Sequence, residues 1–211
     1  MPRNLISEKK LDRLFDPFSP ITVKYKDIFN FKDYYTALKF WLNEYGWEDG
    51  VEDSPKNEWF ETYYNERVDP AGSREMRIRW HLTKPAPGNA KLQYHLDMQF
   101  HVLALTNTEV IRDGQKIKTN KGECELKINA AIEKKYEDEL EKSGILKPFK
   151  KLFTNRVYNT ILDEKKKELY QEIYIFQNFI KQWLKLKRYL PYEEVKVFHP
   201  SQAFPSHQKD K

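Results

Sequence analysis

Histidine and aspartate side chains recur at alternate positions along residues 91–105. His95, Asp97 and His101 share one face of this segment, and His81 stands on the corresponding face of the segment before it. Imidazole and carboxylate groups that converge can bind a metal ion or transfer protons during catalysis. These four side chains are therefore the first candidates for chemistry in the sequence.

The turn between the two segments determines which side chains face these histidines. A symmetric turn centred near Pro87 places Arg79 opposite His95 and Arg77 opposite Asp97. Guanidinium groups repel a cation, and opposite charges on neighbouring strands pair across a sheet. We therefore expect the histidines to lie on a solvent-facing polar surface and to bind no metal ion.

Known catalytic motifs are absent from the sequence. It contains no Gly-rich phosphate loop and no G-x-S-x-G, H-E-x-x-H or paired C-x-x-C pattern. The single cysteine, Cys124, cannot form an intramolecular disulfide. Its neighbours Glu123 and Glu125 would raise the pKa of the thiol, which disfavours a role as nucleophile. The sequence thus favours a binding protein over an enzyme and indicates no cofactor.

The composition fits one folded domain. The chain has 211 residues, of which 33% are charged and 15% aromatic. The aromatic content argues against disorder, and the length predicts a domain over residues 20–190 with an N-terminal arm over 1–19 and a C-terminal tail over 191–211. The sequence contains no run of about 18 apolar residues that would cross a membrane and no apolar signal-peptide core near its start. We expect a cytoplasmic protein.

Hydrophobic periodicity predicts a sheet followed by a helix. A first strand at residues 21–25 is followed by one helix, from Asn30 to Gly46. The apolar stripe of this helix consists of Tyr34, Leu38, Trp41, Leu42 and Tyr45. Alternation of apolar and polar residues then indicates strands at 59–68, 74–83, 91–105 and 126–132. Apolar residues at three- and four-residue steps predict a long helix between Pro148 and Pro191. The expected fold is α+β, with a curved antiparallel sheet packed on this long C-terminal helix.

Two glycine-containing pairs predict turns between the later strands. Asp113-Gly114 tolerates the positive φ angles of a two-residue hairpin, and alternating apolar residues flank it on both sides. Lys121-Gly122 predicts a second turn by the same preference of glycine for turns.

The apolar faces of the sheet and of the long helix are expected to pack together. The residues predicted to be buried there are Leu96, Met98, Phe100, Ile173, Phe176 and Ile180. Aromatic residues on these elements could line a ligand cavity or fill a dry core: Trp80, Tyr94, Phe100, Tyr174, Phe176 and Trp183. A cavity lined by these rings would bind a hydrophobic small molecule or a lipid.

Basic residues concentrate toward the C-terminus. Residues 147–190 hold eleven lysine and arginine residues against four acidic ones, in a chain of net charge +5. Such a surface could dock on nucleic acid, the ribosome or an anionic membrane, or it could be a solvated helix face. The candidate phosphate-binding residues are Lys150, Lys151, Lys181, Lys185, Lys187 and Arg188.

The order of the elements resembles the helix-grip arrangement of START-like proteins, the SRPBCC group. A strand, a helix, a run of antiparallel strands and a final helix follow one another over residues 20–190. The group usually has two short helices after the first strand, and only one is predicted here. The resemblance implies a bent sheet that wraps the final helix, with lipids, sterols, hormones or polyketide-like rings bound between them.

A narrower similarity lies in two segments and the lysine-rich final helix. Val110-Ile-Arg-Asp-Gly114 and Lys118-Thr-Asn-Lys-Gly122 are similar to segments of a family of small, uncharacterised archaeal proteins. That similarity implies no activity.

Overall fold

A computed structural model describes residues 10–16, 18–49, 60–112, 115–136 and 159–186. These ranges contain seven strands and two helices. In chain order the elements are β1 (Leu11–Arg13), β2 (Ile21–Phe29), α1 (Phe31–Glu44), β3 (Glu48–Asp49), β4 (Glu61–Val68), β5 (Arg74–Ala86), β6 (Asn89–Arg112), β7 (Gln115–Lys134) and α2 (Asn159–Trp183). The α+β class predicted from the sequence is confirmed.

The strands form one antiparallel sheet that does not close on itself. Its order is β1-β7-β6-β5-β3, with β2 also paired to β7 and β4 also paired to β5. β1 lies within the range predicted as an N-terminal arm, so α1 follows the second strand of the structure and not the first. Strand β7 therefore pairs with both N-terminal strands. It pairs with β1 over Ala131–Glu133 and with β2 over Asn120–Ile128.

Helix α1 begins and ends where the sequence predicted. The side chain of Asn30 accepts a hydrogen bond from the backbone N–H of Asp33, which caps the first turn. Gly46 follows the helix with a φ of 77°, a left-handed conformation that favours glycine. Four residues on one stripe, Tyr34, Leu38, Trp41 and Leu42, are buried. This helix is thus fixed by its cap at one end and by burial along one side.

Helix α2 packs its apolar stripe on the apolar face of the sheet. It spans 25 residues, inside the range predicted as a long helix; residues 137–158 and 187–211 lie outside the described ranges. The six residues predicted to be buried together, Leu96, Met98, Phe100, Ile173, Phe176 and Ile180, are each at most 2% exposed and belong to one hydrophobic cluster. The prediction that these six residues are buried together is confirmed.

The predicted turn at Lys121-Gly122 is wrong, because both residues lie inside β7. The predicted hairpin before it agrees with the pairing of Arg112 with Gln115, although residues 113–114 are outside the described ranges. Opposite Gly122 the ladder is irregular between Leu103 and Thr106. A Cβ atom on Gly122 would lie 3.0 Å from both the Leu103 carbonyl oxygen and the Leu105 Cα. Glycine is needed here for close backbone approach and not for a turn.

Replacing Gly122 with alanine is therefore expected to destabilise the fold by about 1–3 kcal/mol, the cost of forcing an extra methyl against backbone atoms. Chemical denaturation with urea measures this difference. Lys121→Ala is the matched control, since Lys121 is exposed on the same strand and its substitution adds no atoms. Equal midpoints for the two variants would contradict the close approach.

Candidate functional site

The predicted aromatic residues do not all meet in the interior. Trp80, Tyr94, Phe100 and Phe176 are each at most 2% exposed, and Trp183 is partly buried against the same cluster. Tyr174 is 41% exposed and lies on the outer side of α2, where it accepts a hydrogen bond from the Tyr170 hydroxyl. The structure thus brings five of the six toward the space between sheet and helix and leaves Tyr174 outside it.

The interior rings pack on one another. The centroid of Trp80 lies 4.9 Å from that of Phe100 and 4.7 Å from that of Tyr35. On the helix side, the Trp41 and Phe176 centroids are 4.7 Å apart. These are the distances of tilted and edge-to-face aromatic pairs, so these rings form much of the core themselves.

Tyr34 places a hydroxyl without a partner inside this core. Its side chain is fully buried, and its Oη makes no hydrogen bond to any residue that the structure describes. Its ring lies 5.1 Å from that of Trp183 on α2 and 6.3 Å from that of Phe29 on β2. Burial holds the pKa of the Tyr34 hydroxyl well above its usual range, and the Cys124 thiol on β7 adds a smaller contribution. The hydroxyl therefore lies between the two helices and the sheet, and it stays protonated.

Two other interior tyrosines, Tyr35 and Tyr94, have partners for their hydroxyls. The indole Nε1 of Trp80 donates to the hydroxyl oxygen of Tyr35 over 2.7 Å, and the Tyr35 hydroxyl itself donates to Glu61. The Tyr94 hydroxyl donates to the backbone carbonyl of Lys165 over 3.3 Å. Tyr34 differs from these two tyrosines because its hydroxyl has no hydrogen-bond partner among the described residues. The sequence had placed it only on the apolar stripe of α1, where a tyrosine and a phenylalanine give the same periodicity.

A second group of polar side chains lies on the opposite face of the sheet, and its register differs from the prediction. His81 lies opposite Asp97, and Thr83 opposite His95. The sequence predicted Arg79 opposite His95, a shift of four residues. The predicted pairing of these strands is therefore wrong.

The register differs because the ladder is irregular beside the turn, where Ala86 pairs with Asn89 but the preceding residue, Pro85, pairs with Gln93. The turn is confined to Pro87 and Gly88, and Gly88 has a φ of 71°. Lys84 and Pro85 continue the strand, although they were expected to belong to the loop. The ladder is irregular between Pro85 and Ala86, and such an irregularity tolerates a proline within a strand.

The new register joins two histidines and two carboxylates in a row. His81 Nδ1 lies 2.6 Å from Asp97 Oδ1, and His95 Nε2 lies 3.0 Å from Glu133 Oε2. The two rings meet at His81 Nε2 and His95 Nδ1, which are 3.4 Å apart. His101 is separate and pairs with Glu75 over 3.1 Å.

The expected solvent-facing position is wrong for His95. This residue is only 5% exposed, whereas the side chain of His101 on the same face is 33% exposed. The difference arises because β1 extends the sheet beside His95. Leu11, Arg13 and Phe15 line a cavity of about 80 Å³ together with both histidines. The remaining lining residues are Asp97, Asn129, Ala130 and Ala131.

A larger, open depression lies at the base of the β6–β7 hairpin. Its volume is about 490 Å³, and it is lined by Asn30, Asn107, Thr108, Glu109, Lys118, Thr119 and Asn120. None of the six aromatic residues predicted to bind a ligand lines this depression or the histidine cavity. Its walls are polar side chains of the hairpin and of the α1 cap.

No family model, curated protein or solved structure matches this chain.

The basic residues predicted to bind phosphate are only partly covered by the structure. Lys181 and Lys185 lie at the end of α2, and Lys185 is exposed with a φ of 55°. The other four, Lys150, Lys151, Lys187 and Arg188, lie outside the described ranges. Docking on nucleic acid, the ribosome or an anionic membrane therefore stays a prediction from the sequence.

Two further properties of the described ranges bear on the candidate functions. Burial, with a smaller effect of Glu125, raises the pKa of the Cys124 thiol to about 12. A thiol of that pKa is protonated at neutral pH and is a poor nucleophile. Neither α1 nor α2 is apolar enough over a sufficient length to span a bilayer.

Proposed function

We propose that this chain binds a hydrophobic small molecule or lipid that carries one polar group, held between the sheet and α2 in the manner of helix-grip proteins. The order of the elements supports this arrangement, since α2 covers the apolar face of an open antiparallel sheet. The observation that carries the proposal is the buried hydroxyl of Tyr34.

A buried hydroxyl without a partner is costly. Leaving it unsatisfied costs about 1–3 kcal/mol, and a phenylalanine at the same position would avoid that cost. A polar group from a bound molecule would restore the missing hydrogen bond. Tyr34 is thus the polar contact that orients a ligand in an otherwise apolar site, as in most small-molecule pockets.

The surroundings of Tyr34 suit an apolar ligand body. Phe29 and Trp183 border its ring, and Cys124 on β7 is 2% exposed. Trp183 is only partly buried and lies in the last turn of α2. In our proposal, movement of the Trp183 ring away from Tyr34 opens the path into the interior, because the two rings are in direct contact.

The test compares two adjacent tyrosines of α1. Full-length, untagged protein is examined by native mass spectrometry and by solvent extraction of bound molecules. Tyr34→Phe is expected to weaken the affinity about tenfold and thereby to lower the bound fraction, since loss of one buried hydrogen bond of about 1.4 kcal/mol changes affinity by that factor. Tyr35→Phe is the matched control. It removes a hydroxyl that is already satisfied by Glu61 and Trp80, so it is expected to lower stability without changing the bound fraction.

Thermal unfolding of the extracted, ligand-free protein provides the second measurement. Tyr34→Phe should then be as stable as the wild-type protein or more stable, because no hydrogen bond within the described chain is lost. Purification of the wild-type protein without any small molecule, or with nucleic acid alone, would overturn the proposal. Equal ligand retention by Tyr34→Phe and wild-type protein would do so as well.

A further inference from the structure

We infer that His81 and His95 form a binding site for a divalent transition-metal ion on the face of the sheet opposite α2. The two imidazole nitrogens that face each other, His81 Nε2 and His95 Nδ1, are 3.4 Å apart. Two nitrogen ligands at 2.0–2.1 Å from a tetrahedral zinc ion are separated by about 3.3–3.4 Å. The observed separation is thus the one that a shared metal ion requires, and it is long for a hydrogen bond between nitrogens.

The carboxylates support the same arrangement. Asp97 contacts the far nitrogen of His81 at 2.6 Å, and Glu133 contacts the far nitrogen of His95 at 3.0 Å. Metal-binding histidines commonly donate their second N–H to a carboxylate, which fixes the tautomer and the ring orientation. Both histidines of this pair meet that condition.

Counting the imidazole protons shows that a cation can lie between the rings. A neutral imidazole has one N–H and one lone pair. If each N–H points to its carboxylate, the facing nitrogens of His81 and His95 both present lone pairs, and they cannot hydrogen-bond to each other. A bound cation accepts both lone pairs and leaves both carboxylate hydrogen bonds intact.

The adjoining cavity supplies further ligands. Its volume of about 80 Å³ leaves room for water beside the imidazoles. Asn129 lines the cavity, and its Oδ1 is buried without a hydrogen bond to any described residue. No three histidine, cysteine, aspartate or glutamate side chains gather as a metal-binding group within the described ranges. The site therefore combines two imidazoles with an amide oxygen or water.

The local charge permits a cation. Asp97 and Glu133 contribute two negative charges beside the pair, and Arg13 contributes one positive charge to the cavity lining. The two arginines that were expected to repel an ion lie elsewhere. Arg77 pairs with Glu75 at 3.1 Å, and the Arg79 guanidinium lies over the Tyr63 ring. Imidazole-rich ligation suits zinc, copper, nickel and cobalt.

The experiment uses full-length, untagged protein that has been treated with a chelator and dialysed. Cobalt(II) is titrated into the protein, and its binding is followed by visible absorption. The zinc content of the protein is measured by elemental mass spectrometry. We expect one metal ion per chain in the wild-type protein. His81→Gln and His95→Gln should each abolish binding, whereas His101→Gln, a histidine on the same strand face with a different partner, should bind as the wild type does.

A further variant separates loss of the site from loss of the fold, since His95 is buried. The Asp97 side chain is 49% exposed, so Asp97→Asn is expected to fold and to weaken metal affinity by about 10–100-fold. Absence of binding by the wild-type protein would overturn the inference. Equal loss in His101→Gln, or unchanged affinity in both Asp97→Asn and His81→Gln, would overturn it too.

Discussion

Replacing Phe176 with alanine is expected to lower the free energy of unfolding by about 3–5 kcal/mol. Phe176 is fully buried in the middle of α2, and its ring lies 4.7 Å from that of Trp41 on α1. Truncation removes the transfer free energy of the ring and leaves a cavity that the surrounding aromatic rings cannot fill completely. Urea denaturation followed by circular dichroism measures the change.

The neighbouring residue provides the control for this experiment. Ile175 is 50% exposed, so Ile175→Ala should change the free energy of unfolding by no more than about 0.5 kcal/mol. The two substitutions lie on the same turn of the same helix and differ mainly in which way the side chain points. A similar loss in both variants, or in neither, would contradict the packing of α2 on the sheet.

The elements of the fold follow from local patterns in the sequence. In β6, Leu92, Tyr94, Leu96 and Met98 alternate with polar residues, and all four are buried. This alternation is unambiguous because a strand turns its side chains to opposite faces at every step. The cap at Asn30 is equally local, since its partner is three residues away. Local patterns therefore indicated α1, α2 and most of the strands, but not β1 or β3.

The pairing between strands could not be predicted from local sequence patterns. Gly88 and Gly122 are both glycines next to polar residues, yet Gly88 turns the chain and Gly122 lies within a strand. A glycine allows a positive φ and also allows close backbone approach, and the sequence does not distinguish the two. The symmetric turn assumed near Pro87 did not include the irregular ladder between Pro85 and Ala86, so the predicted partner of His95 was an arginine four residues away from the observed one.

The candidate sites depend on contacts between segments that are far apart in the sequence. The His81–His95 contact exists only in the observed register, and the burial of His95 depends on β1, a strand that was not predicted. Tyr34 was predicted to lie on the apolar stripe of α1, but whether its hydroxyl has a partner depends on β2, β7 and α2 around it. Function in this chain thus rests on contacts between segments that are distant in sequence.

One such contact is an ion pair between the sheet and α2. Lys84 Nζ on β5 lies 2.9 Å from both carboxylate oxygens of Glu172 on α2, and the two side chains are 14% and 13% exposed. Glu172 also accepts a hydrogen bond from the indole Nε1 of Trp47 over 2.8 Å. The lysine further lies over the Trp47 ring. The carboxylate thus links β5, α2 and the segment after α1.

Lys84→Met is expected to destabilise the protein by about 3 kcal/mol. This value is near the lower end of the range for removing one partner of a buried ion pair, because some water reaches both groups. The methionine fills the same space, so the loss arises from the Glu172 charge that remains without its cation. The double variant Lys84→Met/Glu172→Gln should recover most of the stability, since the amide can still accept the Trp47 hydrogen bond and carries no charge. Urea denaturation of the two single variants and the double variant gives the coupling energy.

The exposed pair of Lys24 and Glu123 shows whether burial or distance controls this effect. Its atoms are closer, at 2.6 Å, but the Lys24 side chain is 60% exposed, and water screens such pairs almost completely. Lys24→Met should therefore leave the unfolding midpoint nearly unchanged, although it breaks the shorter contact. If Lys24→Met destabilised the protein as much as Lys84→Met does, burial would not be the controlling factor. Failure of the double variant to recover stability would show that Lys84 acts through its packing on Trp47 and not through the charge of Glu172.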